Sequence, residues 1–141
     1  MGNLSFFLAE NVEKKQNLKV AISKRFKDEK GNPVEWEIRS ISAVEDEALR
    51  KACTRRVQIP GKKNAFMNDF DANTYIAKLT ASAVVYPDLN DAALQNSYGV
   101  MGAEQLLRTM LYKEEFDKLS EIVTGTSEAD DINDLVDEAK N

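Results

Sequence analysis

The chain has no histidine. That absence removes the Ser-His-Asp and Cys-His nucleophilic arrangements and every zinc site that depends on imidazole. There is one cysteine, Cys53, so an internal disulfide framework is excluded and nothing points to an oxidising compartment. No apolar run approaches the ~20 residues of a membrane span. The first residues, Met1-Gly2-Asn3-Leu4-Ser5, carry no basic region, and Phe6-Phe7-Leu8-Ala9 is too short for a signal-peptide core. Myristoylation fails by register, because Phe6 stands where a hydroxyl is needed. The expected location is the cytoplasm of the cell that makes the protein.

What is present describes a soluble globular domain. The 141 residues are 43% hydrophobic and 30% charged, with a mean hydropathy of −0.46. A domain of this size buries about 70% of its unfolded surface and needs no covalent staple. The formal net charge is −5 and is unevenly placed. Residues 128–141 hold six acids (Glu128, Asp130, Asp131, Asp134, Asp137, Glu138) and one base, Lys140, which leaves eighteen charges of each sign in the rest. A neutral body under an acidic end disfavours general nucleic-acid binding, which requires net attraction to phosphates. The expected organisation is one domain over 1–125 and an acidic, mobile end at 126–141.

Periodicity predicts an α+β fold: an N-terminal β-hairpin packed against a bundle of about five helices, the whole mostly helical. Leu4, Phe7, Leu8 and Val12 predict a short amphipathic helix over 4–15. Val20, Ile22 and Phe26 alternate with outward residues, as do Val34, Trp36 and Ile38, and residues 28–33 carry turn chemistry in Gly31 and Pro33. Ser42 and Glu45 form a capping-box pattern that opens a helix through about Arg56, with Val44, Ala48, Leu49, Ala52 and Cys53 on one side. Residues 57–70 are the least periodic and are compatible with a second short hairpin anchored by Phe66 and Phe70. Asp71 caps a helix predicted to run through Tyr86 to the stop at Pro87. Asp88 with Asp91 opens a short helix ending at Gly99. Leu106, Leu107, Met110 and Leu111 mark one further helix, and Phe116, Leu119, Ile122 and Val123 another. Ser127 can cap a last helix bearing Ile132, Leu135, Val136 and Ala139, ordered only if it docks.

Chemistry is mostly absent. Arg50, Arg55 and Arg56 near Cys53 would favour its thiolate, yet with no histidine partner a small buried residue is the stronger reading. Asp88-Leu89-Asn90-Asp91 begins like a calcium loop, but Ala92 and Ala93 stand where a ligand and the turn glycine belong. The acids at 130–134 fail at the third position, so helix caps and a solvated face are expected instead. Gly99-Val100-Met101-Gly102 lacks phosphate-loop spacing. Residues 50–63 carry six cations and no acid, which fits a nucleic-acid patch, a solvated helix end or an internal partner for the acidic end. Phe6, Phe7, Tyr98, Met101, Leu107, Met110, Ile132 and Leu135 are candidate contacts for apolar helices of another protein, against the competing expectation that periodic apolar residues are core. No catalytic, cofactor-binding or metal residue stands out.

Several strings carry more than pattern. Glu10-Asn11-Val12-Glu13-Lys14, Ser23-Lys24-Arg25-Phe26-Lys27-Asp28-Glu29, Leu49-Arg50-Lys51-Ala52-Cys53, Val84-Val85-Tyr86-Pro87-Asp88-Leu89 and Ser97-Tyr98-Gly99-Val100-Met101-Gly102-Ala103-Glu104-Gln105-Leu106-Leu107 resemble the XkdN-like tail assembly chaperones of tailed phages and prophages. The resemblance covers roughly residues 4–123. It implies a non-enzymatic cytoplasmic protein of the bacterial host whose partners are the tape-measure protein and, second, the tail-tube subunit. It implies no cofactor, small-molecule substrate or membrane, and it leaves self-association open. A retained tail or connector component and, less well supported, a small nucleic-acid-binding regulator are the alternatives. Relatives carry a Pro-Gly break where this chain has Tyr112-Lys113, so the two flanking helices are expected to run together.

Overall fold

The computed structural model describes residues 2–125. Two antiparallel sheets and five α-helices are ordered among them as β1 (Leu18–Val20), β2 (Trp36–Ile38), α1 (Ala43–Ala52), β3 (Thr54–Gln58), β4 (Phe66–Phe70), α2 (Ala72–Ala83), β5 (Val84–Tyr86), α3 (Ala92–Ser97), α4 (Ala103–Met110) and α5 (Lys113–Thr124). This is the expected α+β class, with the first hairpin packed on helices.

The hairpin forms, but its strands are shorter than the alternation over 20–26 and 34–38 predicts: the first is Leu18–Val20, and residues 21–26 leave the ladder. Leu18 pairs with Ile38 and Val20 with Trp36. At its far end Lys27 bridges Pro33, and the Asp28 carboxylate accepts from the Lys30 and Asn32 amides at 2.9 Å each. Gly31 takes φ +83 inside that turn, a conformation a side chain would strain. The apolar face carries Val20, Ile22, Trp36 and Ile38 into the main core, where they meet Ala83, Leu89, Leu106, Leu107, Met110, Leu111, Leu119 and Ile122. Phe26 packs edge-on against Trp36 with ring centroids 5.7 Å apart. A smaller cluster of Cys53, Tyr75 and Leu79 sits beside it. Helix α2 is the hub and packs against α1, α4 and α5.

Four helix expectations are corrected. The amphipathic helix over 4–15 is a single 3-10 turn, Leu4–Phe7, capped by the Asn3 side chain. Nearly every residue of 2–17 is exposed, so the segment lacks the packed surface that a short helix needs. The helix from Ser42 ends at Ala52, because Thr54–Gln58 pair residue for residue with Phe66–Phe70. Val44, Ala48 and Ala52 are therefore exposed, and α1 turns Leu49 and the Cys53 cap inward instead. The helix from Asp71 stops at Ala83, and β-branched Val84 and Val85 lead a third strand onto the edge of β2. Lastly, α4 and α5 are separate. Leu111 and Tyr112 are extended, and the Glu115 carboxylate turns back to accept from the Tyr112 amide at 2.7 Å. A side-chain cap breaks the helix here without Pro-Gly.

Candidate interaction surface

Three features dominate the surface, and the first is the segment before β1. Its 3-10 turn exposes Leu4, Phe6, Phe7 and Leu8, and Val12 follows, with Phe6 71% and Phe7 78% accessible. The Asn11 side chain donates to the Ser5 carbonyl at 2.8 Å and holds the turn's shape without burying its apolar residues. Five large apolar side chains in nine residues form an unusual row for a monomer surface.

The segment leads directly into the second feature, a groove of about 700 Å³. Residues 15–18 form one wall. Ile38 and Ile41 come from the end of β2, Tyr75, Ile76 and Leu79 from α2, and residues 122–125 from the end of α5. Arg39, Asp46 and Arg50 stand on its rim. Each of these three is held. Arg39 makes a two-pronged pair with Glu45 and donates from Nε to the Ser82 carbonyl at 3.0 Å. Arg50 donates to Asp46 at 3.0 Å and lies over the Tyr75 ring at 4.6 Å. The Tyr75 hydroxyl donates to the same Asp46. That hydrogen bond, with Arg50 second, holds Asp46 below the usual carboxylate range, while burial and the Asp46 contact push the Tyr75 phenol up.

The third feature is the two-stranded β3–β4 hairpin, which displays Phe66, Met67 and Phe70. The cations of residues 50–63 lie around it and are largely engaged. Arg50 pairs with Asp46, Lys51 with Glu47 and Arg55 with Asp69, and Arg56 lies over Phe66 at 4.9 Å. Acids from flanking segments thus offset a run that reads as purely basic in one dimension.

The sequence-predicted contact residues divide. Phe6 and Phe7 are exposed, Met101 is 90% accessible and Tyr98 is partly so. Leu107 and Met110 are buried in the main core against the hairpin. Ile132 and Leu135 lie outside the described residues. Asp88 and Asp91 serve as backbone acceptors, for the Asn90 amide at 3.0 Å and the Leu94 amide at 2.8 Å. The acids at 130–134 lie outside the described residues, and no metal-holding cluster exists among those described. Cys53 is buried beside Tyr75 and Leu79. No local signal marks the groove, because five separate stretches of chain build it. In sequence its Ile41, Ile76 and Val123 look like ordinary core.

This chain matches the family described as phage XkdN-like tail assembly chaperone protein over residues 4–140. It belongs to that family. The match runs past the 4–123 carried by the sequence strings and takes in most of the acidic end. Among curated relatives, the phage-like element PBSX protein XkdN of Bacillus subtilis (strain 168) is 28% identical over 99% of this chain and 94% of its own length. The protein YqbN of the same organism is 26% identical over 99% of this chain and 93% of its own. The crystal structure of YqbN superposes with a TM-score of 0.74, covering 90% of this chain and 99% of that one at 21% identity, which shows a shared fold. The family's role in tail assembly implies protein partners. No helix among the described residues is long and apolar enough to cross a membrane.

Proposed function

We propose that this tail assembly chaperone works without chemistry, in the cytoplasm of the bacterial host, by holding the tape-measure protein until the tail tube closes around it. The tail-tube subunit is its second partner. The observation that carries the reading is the exposed row Leu4, Phe6, Phe7, Leu8 and Val12 in a member of a chaperone family. A long helical client exposes apolar stripes before assembly, and reversible cover needs adaptable apolar side chains on a soluble body. Phe6 and Phe7 are the principal contacts. Tyr98 and Met101 are further ones, displayed where α3 gives way to α4.

Co-expression with the tape-measure gene tests this, followed by affinity capture and mass spectrometry of purified particles. The expected result is co-purification of the tape-measure chain with little of the chaperone in finished particles. Stoichiometric retention would replace the proposal with a structural tail component. Capture of neither the tape-measure chain nor the tube subunit would overturn it.

A further inference from the structure

The groove between β2, α1, α2 and α5 ends at Gly125, where the chain continues into its most acidic stretch. Gly125 takes the left-handed conformation, φ +62, which turns the backbone out of the helix at the groove rim. The floor it borders is apolar: Leu18, Ile41, Ile76, Leu79, Ile122 and Val123. The charged residues lining it are three cations, Lys15, Arg39 and Arg50, and one acid, Asp46. Residues 126–141 have the complementary make-up, with Ile132, Leu135 and Val136 at helical spacing among six acids.

We propose that residues 126–141 dock in cis in this groove, with Ile132, Leu135 and Val136 on its floor and the carboxylates of the segment's Asp and Glu residues facing the cationic rim. Reach favours it. Ile132 lies seven residues beyond Gly125, which allows up to about 25 Å of extended chain, ample for a groove this size. Tethering favours it as well, since a short linker holds the segment near millimolar effective concentration. Arg39 and Arg50 already hold one carboxylate each, so Lys15, exposed and with no carboxylate partner among the described residues, is the cation most available to the segment. The proposal names the internal partner of the acidic end and shifts it from the β3–β4 hairpin to the groove. It does not rest on the identity of the client.

Methyl-resolved NMR of the full chain, compared with an Ile132→Asp, Leu135→Asp, Val136→Asp variant, tests it. The expected result is chemical-shift change confined to the methyls of Leu18, Ile41, Ile76, Leu79, Ile122 and Val123, unaltered by dilution from 1 mM to 20 µM. A synthetic 126–141 peptide should then restore the shifts of the variant, at least tenfold less tightly in 0.5 M than in 0.05 M NaCl, and a Lys15→Glu change should weaken it several-fold. Unchanged groove methyls, or changes centred elsewhere, would overturn the proposal. Changes that fade on dilution would also overturn it, in favour of docking onto a second copy. No tape-measure chain enters these measurements, so their failure leaves the chaperone reading standing, and failure of the capture experiment leaves this one standing.

Discussion

Arg25 and Glu115 stand ninety positions apart and close the structure's best-defined ion pair. Arg25 Nε donates to one carboxylate oxygen at 2.8 Å, and Nη2 donates to the other and to the Met110 carbonyl at 2.9 Å. The guanidinium is also sandwiched by Phe26 and Tyr112, at 4.9 and 4.5 Å from their centroids. One side chain therefore ties the first hairpin to the joint between α4 and α5. The Arg25 guanidinium, helped by Ser23 and the Tyr112 amide, holds the Glu115 carboxyl at about 2. Because the native state keeps this group ionised more readily than the unfolded chain, its stabilisation is complete above the ordinary value of 4.5 and fades as pH falls towards 2. Glu115→Gln should lower stability by about 1–2 kcal/mol at pH 7, limited by solvent screening of the half-exposed arginine. Urea unfolding from pH 7 down to 2 should show the gap between variant and wild type narrowing below about pH 4.5. A gap that stays constant with pH would contradict this role.

At the scale of elements, helix starts are local, whereas the ends of α1 and α2 are not. The Ser42 hydroxyl accepts from the Glu45 amide at 3.2 Å, the half of the capping box that the sequence announces. The Glu45 carboxylate does not return to the Ser42 amide, because both of its oxygens accept from Arg39. Ser42→Ala should cost about 1 kcal/mol in thermal unfolding, and an unchanged midpoint would show that the Arg39 pair alone fixes the start of α1. The same division explains what could be read in advance. The first hairpin forms with shorter strands than its alternation predicts, whereas its 28–33 turn, the Asp71 and Asp91 caps and the Gly99 stop are encoded within a few residues and appear as the pattern requires. The ends of α1 and α2 are not, because Thr54–Gln58 become a strand only when Phe66–Phe70 arrive, and Val84–Tyr86 only when β2 offers an edge. The segment 4–15 shows the converse: it has helical periodicity but no surface to pack against. Among the candidate contacts, Phe6, Phe7 and Met101 are exposed and Leu107 and Met110 are buried, a difference the sequence does not carry because these residues share their chemistry and differ only in tertiary burial.

For the whole molecule, the main core and the exposed segment before β1 use separate residues. The sheet β1–β2–β5 and helices α4 and α5 bury Trp36, Leu106, Leu107 and Leu119 completely, and this core does not depend on the segment before β1. Phe6→Ser with Phe7→Ser should therefore leave the unfolding free energy within about 0.5 kcal/mol of wild type while removing the apolar cover proposed for a client. The most direct measurement is light scattering of a purified tape-measure segment as it is diluted from denaturant, with and without an equimolar amount of this protein. Under the chaperone reading the wild-type protein suppresses aggregation, and the double variant, folded and equally stable, does so much less. Equal suppression by both, or none by either, would contradict it.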